Sequence, residues 1–596
     1  MTIAPMLRVT ICGATPDKAA ALDDLQALGV MHVIPLAARD PLAPDDPALR
    51  RRADTAFRHI SEGPEQLRPF RADADFDAEA TIAAIIANRL RLRALAERSA
   101  ALEARIAALR PFGDFAPPRP EEIGGQRLWL YLLPLKERRA LARIDLPWAV
   151  VGRTNTALKL AVVAADAPPR DLLPVPPVDP GEVPLSAFVA EAEAIEIDRE
   201  RAEMERAELT RWRILLGARL AASQDLDDLR RVTAETLDAG EIFAVQGWVP
   251  ADAAPAVEAL AAERGLAVLI EPPAPQDAPP TLLRPRNDRL AIGADLTNFY
   301  ATPGYRAWDP SLIVFASFAV FFAMIVADAG YAALFLAGTA LTWRRMGASP
   351  TGARARVLLL VLSGAALVYG ALAGSYFGAA PPPGSLLDRL AVVDVSDFGK
   401  MMRLSIVIGA LHIGLALATV AWLNRGHPRA IAALGWIGAL AGGLAIFLSG
   451  GATGFGLPLL LAGLAAVFWG SAAARPIAAP RDWLLRAFDG LIGLTGVTKL
   501  FGDILSYLRL FALGLASASL AATFNGLAAE VRVNAPGLGV LLALLILLVG
   551  HSINVAIGVM GGVVHGLRLN YVEFFGWGLS EEGYPFRAFA KRESPA

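Results

Sequence analysis

The chain has 596 residues, 55% of them hydrophobic and 19% charged, with a formal net charge of -2 and a mean hydropathy of +0.44. That charge balance speaks against nucleic-acid binding through bulk positive charge, and a single cysteine, Cys12, excludes an internal disulfide. Long apolar runs begin only after about residue 310, so the chain reads as a charged soluble half followed by a membrane half.

The soluble half opens with a strand at Leu7–Ile11, a helix with Ala20, Leu22, Leu25 and Leu28 inward, and a strand at Met31–Ile34, a βαβ pattern with no signal-peptide features. Leu92, Ser99 and Ile106 then recur at sevens, with Leu95, Leu102 and Leu109 three residues out of phase, as in a coiled-coil strand. Strands are predicted at Leu128–Leu135, Ala149–Gly152 and Leu158–Val163, and a Pro-rich stretch at Pro168–Pro184 follows. Phe188, Ile195, Ala202, Leu209 and Leu216 form a second heptad run that can pair antiparallel with the first. Ile242–Pro250 and Leu266–Glu271 read as a further α/β lobe. The expected division is a cytoplasmic domain at 1–286, with lobes at 1–75 plus 120–170 and at 235–275 and an arm at about 80–112 and 185–222. A linker at 287–310, a transmembrane domain at 311–575 and a cytoplasmic tail at 576–596 complete it.

Apolar stretches run at 311–343, 355–377, 401–423, 431–449, 456–474, 484–529 and 538–575. The loop holding Arg344, Arg345, Arg354 and Arg356 belongs on the cytoplasmic side by the positive-inside rule. The first run must then cross twice, turning at Asp328-Ala329-Gly330-Tyr331, which gives eight spans with both termini cytoplasmic. The last two runs are about 69 and about 57 Å long as helices, so they must tilt, break or protrude.

The second-last run carries Arg509 amid apolar sequence, with no acidic residue between Asp503 and Glu530. A guanidinium keeps its proton, and at bilayer depth it costs about 3 kcal/mol or more, so such a residue marks an ion path. The last run adds His551, Asn554, His565, Arg568, Asn570 and Glu573 among Gly558, Gly561, Gly562 and Gly566. Asp328 reads as a turn or cap and His412 as a helix-packing histidine. Nucleotide loops, metal-spaced Cys/His clusters and hydrolytic triads are missing from the sequence, so neither cofactor nor metal is expected and catalysis by this chain alone is not.

Ser506-Tyr507-Leu508-Arg509-Leu510-Phe511-Ala512-Leu513-Gly514-Leu515-Ala516, followed by Phe524-Asn525, resembles the signature helix of subunit I (subunit a), the membrane stator of V-type and A-type rotary ATPases. Gly247-Trp248-Val249-Pro250, Pro279-Pro280-Thr281-Leu282, Asp309-Pro310, Gly374-Ser375-Tyr376-Phe377-Gly378 and His565-Gly566-Leu567-Arg568-Leu569-Asn570-Tyr571-Val572-Glu573-Phe574 match in order. The resemblance implies two small cytoplasmic α/β lobes joined by an antiparallel coiled-coil arm, and an all-α membrane domain of about eight helices with two long tilted C-terminal ones. It implies Arg509 facing a ring of proteolipid c subunits, Arg568 supporting it, and half-channels lined by His565, Glu573, Asn525, Asn554 and His551, with Ser506 and Ser517 nearby. Ser517 stands where eukaryotic relatives carry a histidine, and Gly558 where they carry an acid. The implied partners are c-ring proteolipids, E/G-type peripheral-stalk subunits, a d-type central-stalk subunit and lipid, in a prokaryotic plasma membrane, moving protons or sodium. The alternative is a secondary transporter with a cytoplasmic regulatory domain, although the spans show no inverted repeat.

Overall fold

The computed structural model describes residues 2–37, 47–63, 65–72, 76–169, 172–284, 291–394, 397–451, 454–473, 475, 481–534, 537–579 and 581–592. Residues 285–290, which span the expected boundary between the cytoplasmic domain and the linker, lie outside them. The soluble half runs β1 (Thr2–Ile3), β2 (Met6–Ala14), α1 (Lys18–Leu28), β3 (His32–Ile34), α2 (Pro47–Ser61), α3 (Ala78–Leu109), β4 (Arg127–Pro134), β5 (Trp148–Arg153), β6 (Ala157–Ala164), α4 (Leu185–Leu209), α5 (Arg213–Glu235), β7 (Leu237–Ala239), β8 (Ile242–Pro250), α6 (Ala254–Glu263), β9 (Ala267–Glu271), β10 (Leu283–Arg284) and α7 (Ala291–Tyr300).

Two compact units divide the chain: one comprises 1–13, 30–34 and 244–588, the other 14–29, 35–243 and 589–596. In the second, α3 and α4 lie antiparallel. Asn88 Nδ2 donates to Ala202 O (2.8 Å) and Arg98 pairs with Glu191, so numbers rise along one helix as they fall along the other. Asp77 starts α3 by accepting from the amides of Glu79 and Ala80. Leu102 and Leu109 are buried, while Leu92, Leu95, Ser99 and Ile106 are half-buried. The helix expected over 185–222 breaks at Thr210–Trp212, where Thr210 Oγ1 accepts from Leu67 N (3.0 Å) and Trp212 packs on Phe70 and Phe76. Leu216 therefore lies beyond the break, in a core with Ala56 and Ile60 of α2 and Ile85 of α3.

The expected lobe boundaries need correction. Strands β4, β5 and β6 form their own antiparallel sheet in the order β4-β6-β5 around Tyr131, Leu133, Leu160 and Val162. They do not join the N-terminal strands, which lie in the order β3-β8-β2-β9 with strands from much later in the chain. Within its own sheet β6 bonds to both β4 and β5, while the neighbour of β2 and β3 is β8, which arrives from much later in the chain. Sequence proximity said nothing about that pairing.

The helical half continues with α8 (Ser311–Val326), α9 (Ala329–Met346), α10 (Pro350–Leu372), α11 (Leu386–Leu390), α12 (Phe398–Leu423), α13 (Pro428–Ser449), α14 (Gly456–Ala473), α15 (Arg481–Leu494), α16 (Gly496–Ser506), α17 (Leu508–Asn534), α18 (Gly539–Arg568), a π-helical stretch at Leu569–Phe574, and α19 (Phe575–Gly578). Among the described residues six stretches are long and apolar enough to cross a membrane: α10, α12, α13, α14, the run Arg481–Asn534 and the run Gly539–Gly578. α8 is a shorter apolar helix. The two long runs are broken, at Thr495 and Tyr507 in one and by the π-helical stretch in the other.

Between α8 and α9 the chain reverses. Ala327 is left-handed (φ 47°) and Asp328 extended, which ends α8. The Asp328 carboxylate, buried, then accepts from Tyr331 N (3.0 Å), Phe377 N (3.0 Å), Gly378 N (2.8 Å) and Ser375 Oγ (2.7 Å). It thus caps α9 and ties that cap to the segment after α10. Phe377 is also left-handed (φ 54°), so both positive-φ residues other than glycine among those described flank this carboxylate. At the other end Arg354 of α10 pairs with Asp295 of α7, so the entry to α8 and the exit from α9 lie together.

After α19 the chain returns to where it entered the helices. Thr281 bridges to Pro585 and Pro303 to Glu582, Trp308 Nε1 donates to Gly578 O, and Arg587 N donates to His32 Nδ1. Phe586 packs on the core of Ala4, Met6 and Trp248. Elsewhere α13 and α14 meet through glycines at seven-residue intervals, Gly435 and Gly442 against Gly456, Gly463 and Gly470. A Cβ at Gly435 would stand 2.6 Å from Val467 N. Gly435→Leu is therefore expected to lower stability by about 1–3 kcal/mol or more through overpacking, read as the thermal unfolding of the detergent-solubilised chain. Asp328→Ala strands three amides and a hydroxyl without their acceptor; the same measurement should show a loss of about 3 kcal/mol, against about 1 for Ser375→Ala.

Candidate functional site

Arg509 stands on the first turn of α17, just after the break at Tyr507, and it is not alone. Its Nη2 lies 3.3 Å from Oε1 of Glu573, whose side chain is 2% exposed against 23% for the arginine. The neutralising acid comes from the last helix, not from the arginine's own segment, where the sequence offers none. Glu573 sits inside the π-helical stretch Leu569–Phe574, whose wider turn alters the phase of the helix that carries the carboxylate. Arg509 Nη1 and Glu573 Oε2 are both buried with no hydrogen-bond partner among the described residues, so each end of the pair retains capacity for a second partner.

On α17 the exposed positions Ala512, Ala516 and Ser519 continue the face begun by Arg509 at helical spacing. Small side chains beside a charged one let a neighbouring helix approach closely. The opposite face is packed: Gly514 lies against Met324 O of α8. Tyr507, buried, places its hydroxyl 2.8 Å from His412 Nδ1, and the His412 ring stacks on Phe574 at 4.3 Å. His412 is thus a packing residue that braces the break before Arg509 and the helix that carries Glu573.

A second polar group lies further along α17 and α18. Ser517 Oγ donates to Asn554 Oδ1 (3.2 Å), and Asn554 Nδ2 donates to the Tyr331 hydroxyl (3.1 Å). That hydroxyl lies 2.7 Å from His551 Nδ1, and His551 Nε2 lies 3.1 Å from Asn525 Oδ1. Asn525 Nδ2 donates to Phe377 O (2.8 Å), which leaves Oδ1 to accept from His551 Nε2–H. With Nδ1 unprotonated the chain of bonds runs in one direction, Tyr331 O–H donating to Nδ1. Tyr331 stands three residues after Asp328, so the carboxylate that fixes the α9 cap also sets the depth of this hydroxyl.

Six of the sequence-derived candidates, Arg509, Glu573, Ser517, Asn554, His551 and Asn525, are brought into these two groups. His565 is half-buried on α18 with Nδ1 unpartnered among the described residues, and Arg568, one turn on, is exposed. Ser506 is spent locally, its Oγ donating to Gly502 O (3.2 Å). Tyr331 and Tyr507 escaped the sequence reading as site residues. Tyr331 stood inside the Asp328-Ala329-Gly330-Tyr331 turn, where only its spacing from a capping acid could have marked it, and no acidic or basic character singled out Tyr507. Asn570 joins α8 instead, its Oδ1 lying 2.6 Å from Ser317 Oγ. Among the described residues no group of three His, Cys, Asp or Glu is placed to hold a metal.

No family model matches the chain. Curated relatives do. V-type ATP synthase subunit I of Chlamydia pneumoniae is 28% identical over 425 residues, covering 60% of this chain and 62% of that protein. A-type ATP synthase subunit I of Methanocaldococcus jannaschii is 28% identical over 399 residues, covering 59% and 55%. V-type ATP synthase subunit I 1 of Treponema pallidum is 27% identical over 654 residues, covering 99% of this chain and 100% of the relative. The chain spans about three fifths of the length of the chlamydial relatives it matches. A crystal structure of the cytoplasmic N-terminal domain of subunit I, homolog of subunit a, of V-ATPase, has a TM-score of 0.23 at 18% identity, covering 44% of this chain and 99% of that one; at that score it carries no argument. The resemblance read in the sequence thus holds across bacterial and archaeal proteins, and this chain is a homologue of the V-type and A-type ATP synthase subunits I.

Proposed function

We propose that the chain is the non-catalytic, ion-translocating stator subunit of a V/A-type rotary ATPase, coupling rotation of a c ring to proton or sodium flow. The observation that carries the reading is Arg509, a permanent cation on a small-residue face of α17, held from behind by Glu573. A ring carboxylate can cross lipid only when neutralised by its ion, and a fixed guanidinium favours the ionised form, releasing that ion. The same charge repels a cation, so entry and exit routes stay separate. Glu573 keeps the guanidinium neutralised between passing carboxylates, and the exposed part of the side chain is what they would meet.

The Ser517-Asn554-Tyr331-His551-Asn525 chain is a candidate lining for one half-channel; His565 and Arg568 are candidates for the other. Amide groups do not pass protons readily, so Asn554 and Asn525 bound a Tyr331–His551 pair that exchanges with water rather than forming an uninterrupted wire. Eight spans with both ends of the helical part cytoplasmic is the proposed topology. The return of residues 581–588 to the segment before α8 supports an even number of crossings, and the Arg354–Asp295 pair supports two of them in α8 and α9. Peripheral-stalk subunits at the lobes and a d-type central-stalk subunit are the proposed soluble partners, with ATP turned over elsewhere in the complex.

ATP-driven acidification of vesicles containing the assembled complex tests the reading. Arg509→Lys is expected to lower pumping at least about 100-fold, because a compact ammonium cannot reproduce the guanidinium's two-sided geometry; retention of pumping would remove the proposed mechanism. Glu573→Gln should keep assembly and reduce the rate by about 10-fold or more, having left the buried guanidinium without its counter-charge. Tyr331→Phe is expected to slow pumping several-fold and to shift its pH profile, with assembly unchanged, as judged by co-purification of the ring.

A further inference from the structure

The structure holds an apolar cavity that the ion path does not use. It has a volume of about 450 Å³ and lies between α12, α13 and α16, lined among others by Ile406, Ala410, Leu440, Gly443, Leu444 and Leu500. On the α16 side Val497, Phe501 and Leu505, spaced one turn apart, are 41%, 65% and 39% exposed, so the lining continues onto the apolar outer surface. The helices around it are among those long and apolar enough to cross a membrane.

Arg403 stands on the same face of α12, one turn before Ile406 and two before Ala410. It lies about 7.5 Å below the start of the helix at Phe398, within reach of the headgroup region for a long side chain. Lys400, one turn earlier, is paired with Asp397 at 3.1 Å. Arg403 is exposed and has no ion pair or side-chain hydrogen bond among the described residues. A cation on the line of an apolar cavity that opens onto an exposed apolar helix face matches one class of ligand, with a negatively charged head and an acyl tail.

We propose that α12, α13 and α16 form a binding site for an anionic phospholipid, with Arg403 holding the phosphate and an acyl chain filling the cavity. The site is independent of the rotary reading, since it requires only that these helices lie in a bilayer. Its physical use is to fill the space behind α16, the helix that leads into the Tyr507 break and Arg509, where an empty cavity would leave α16 without support on that side.

The test is photolabelling of the full chain in vesicles with phosphatidylglycerol or phosphatidylcholine carrying a diazirine in the acyl chain, mapped by peptide mass spectrometry. Phosphatidylglycerol should label the α12, α13 and α16 peptides about five-fold more than phosphatidylcholine. Arg403→Gln should bring that ratio close to one, and Arg403→Lys should restore part of it. Gly443→Leu should suppress labelling of the cavity by both lipids while leaving labelling elsewhere intact; a Cβ at Gly443 meets no atom within 4 Å, so the added side chain starts into open space. Equal labelling by the two lipids, labelling indifferent to Gly443→Leu, or cavity labelling that vanishes when the ring is assembled would overturn the proposal. The last result would mean that a ring helix occupies the cavity.

Discussion

A guanidinium that cannot lose its proton has been placed among apolar helices, and the arrangement of the last three runs follows from keeping it there. Its charge needs a partner that does not consume all its donors, and Glu573 supplies one at 3.3 Å while leaving Nη1 unpartnered. Bringing that carboxylate to α17 requires the last helix to change phase, which the π-helical stretch Leu569–Phe574 does. It also requires that the break at Tyr507 be braced, which His412 and Phe574 do from α12 and the last helix. The pair is thus a shared constraint on three helices.

The second anchor is Asp328. Four hydrogen bonds converge on a buried carboxylate between two left-handed residues, so the α8–α9 reversal is defined by chemistry and not by hydrophobicity. From that fixed point Tyr331 reaches His551 and Asn554 across to α18, and Phe377 O reaches Asn525 on α17. Strain concentrated at such a place fits a requirement for position over stability. The glycine contacts of α13 and α14, by comparison, are packing without polar content.

Much of this was legible in the sequence where local rules apply. The apolar runs marked the helices of the second half, the Asp328-Ala329-Gly330-Tyr331 stretch marked the reversal between α8 and α9, and the two heptad runs marked α3 and α4 as long helices. What was not legible depended on long-range choices. Which strands share a sheet depends on pairings between segments far apart in the sequence, so β4, β5 and β6 were wrongly grouped with β2 and β3. The break at Thr210–Trp212 had no proline or glycine to announce it. The counter-charge of Arg509 was sought in its own helix, whereas the carboxylate arrives from 64 residues away. Glu573 itself stood out in the sequence, but its pairing depended on a π-helical turn that apolar periodicity does not reveal.

The central claim, that the Arg509 face of α17 meets a moving ring, is tested most directly by disulfide trapping. Cys12 is the single cysteine, so a Cys12→Ser background carrying Ala516→Cys, combined with single cysteines scanned along the outer helix of the ring subunit, gives unambiguous pairs. The account predicts that oxidation links Ala516→Cys to one stripe of ring positions, that the link blocks ATP-driven pumping, and that reduction restores it. No link to any ring position, or a link that leaves pumping untouched, would contradict it.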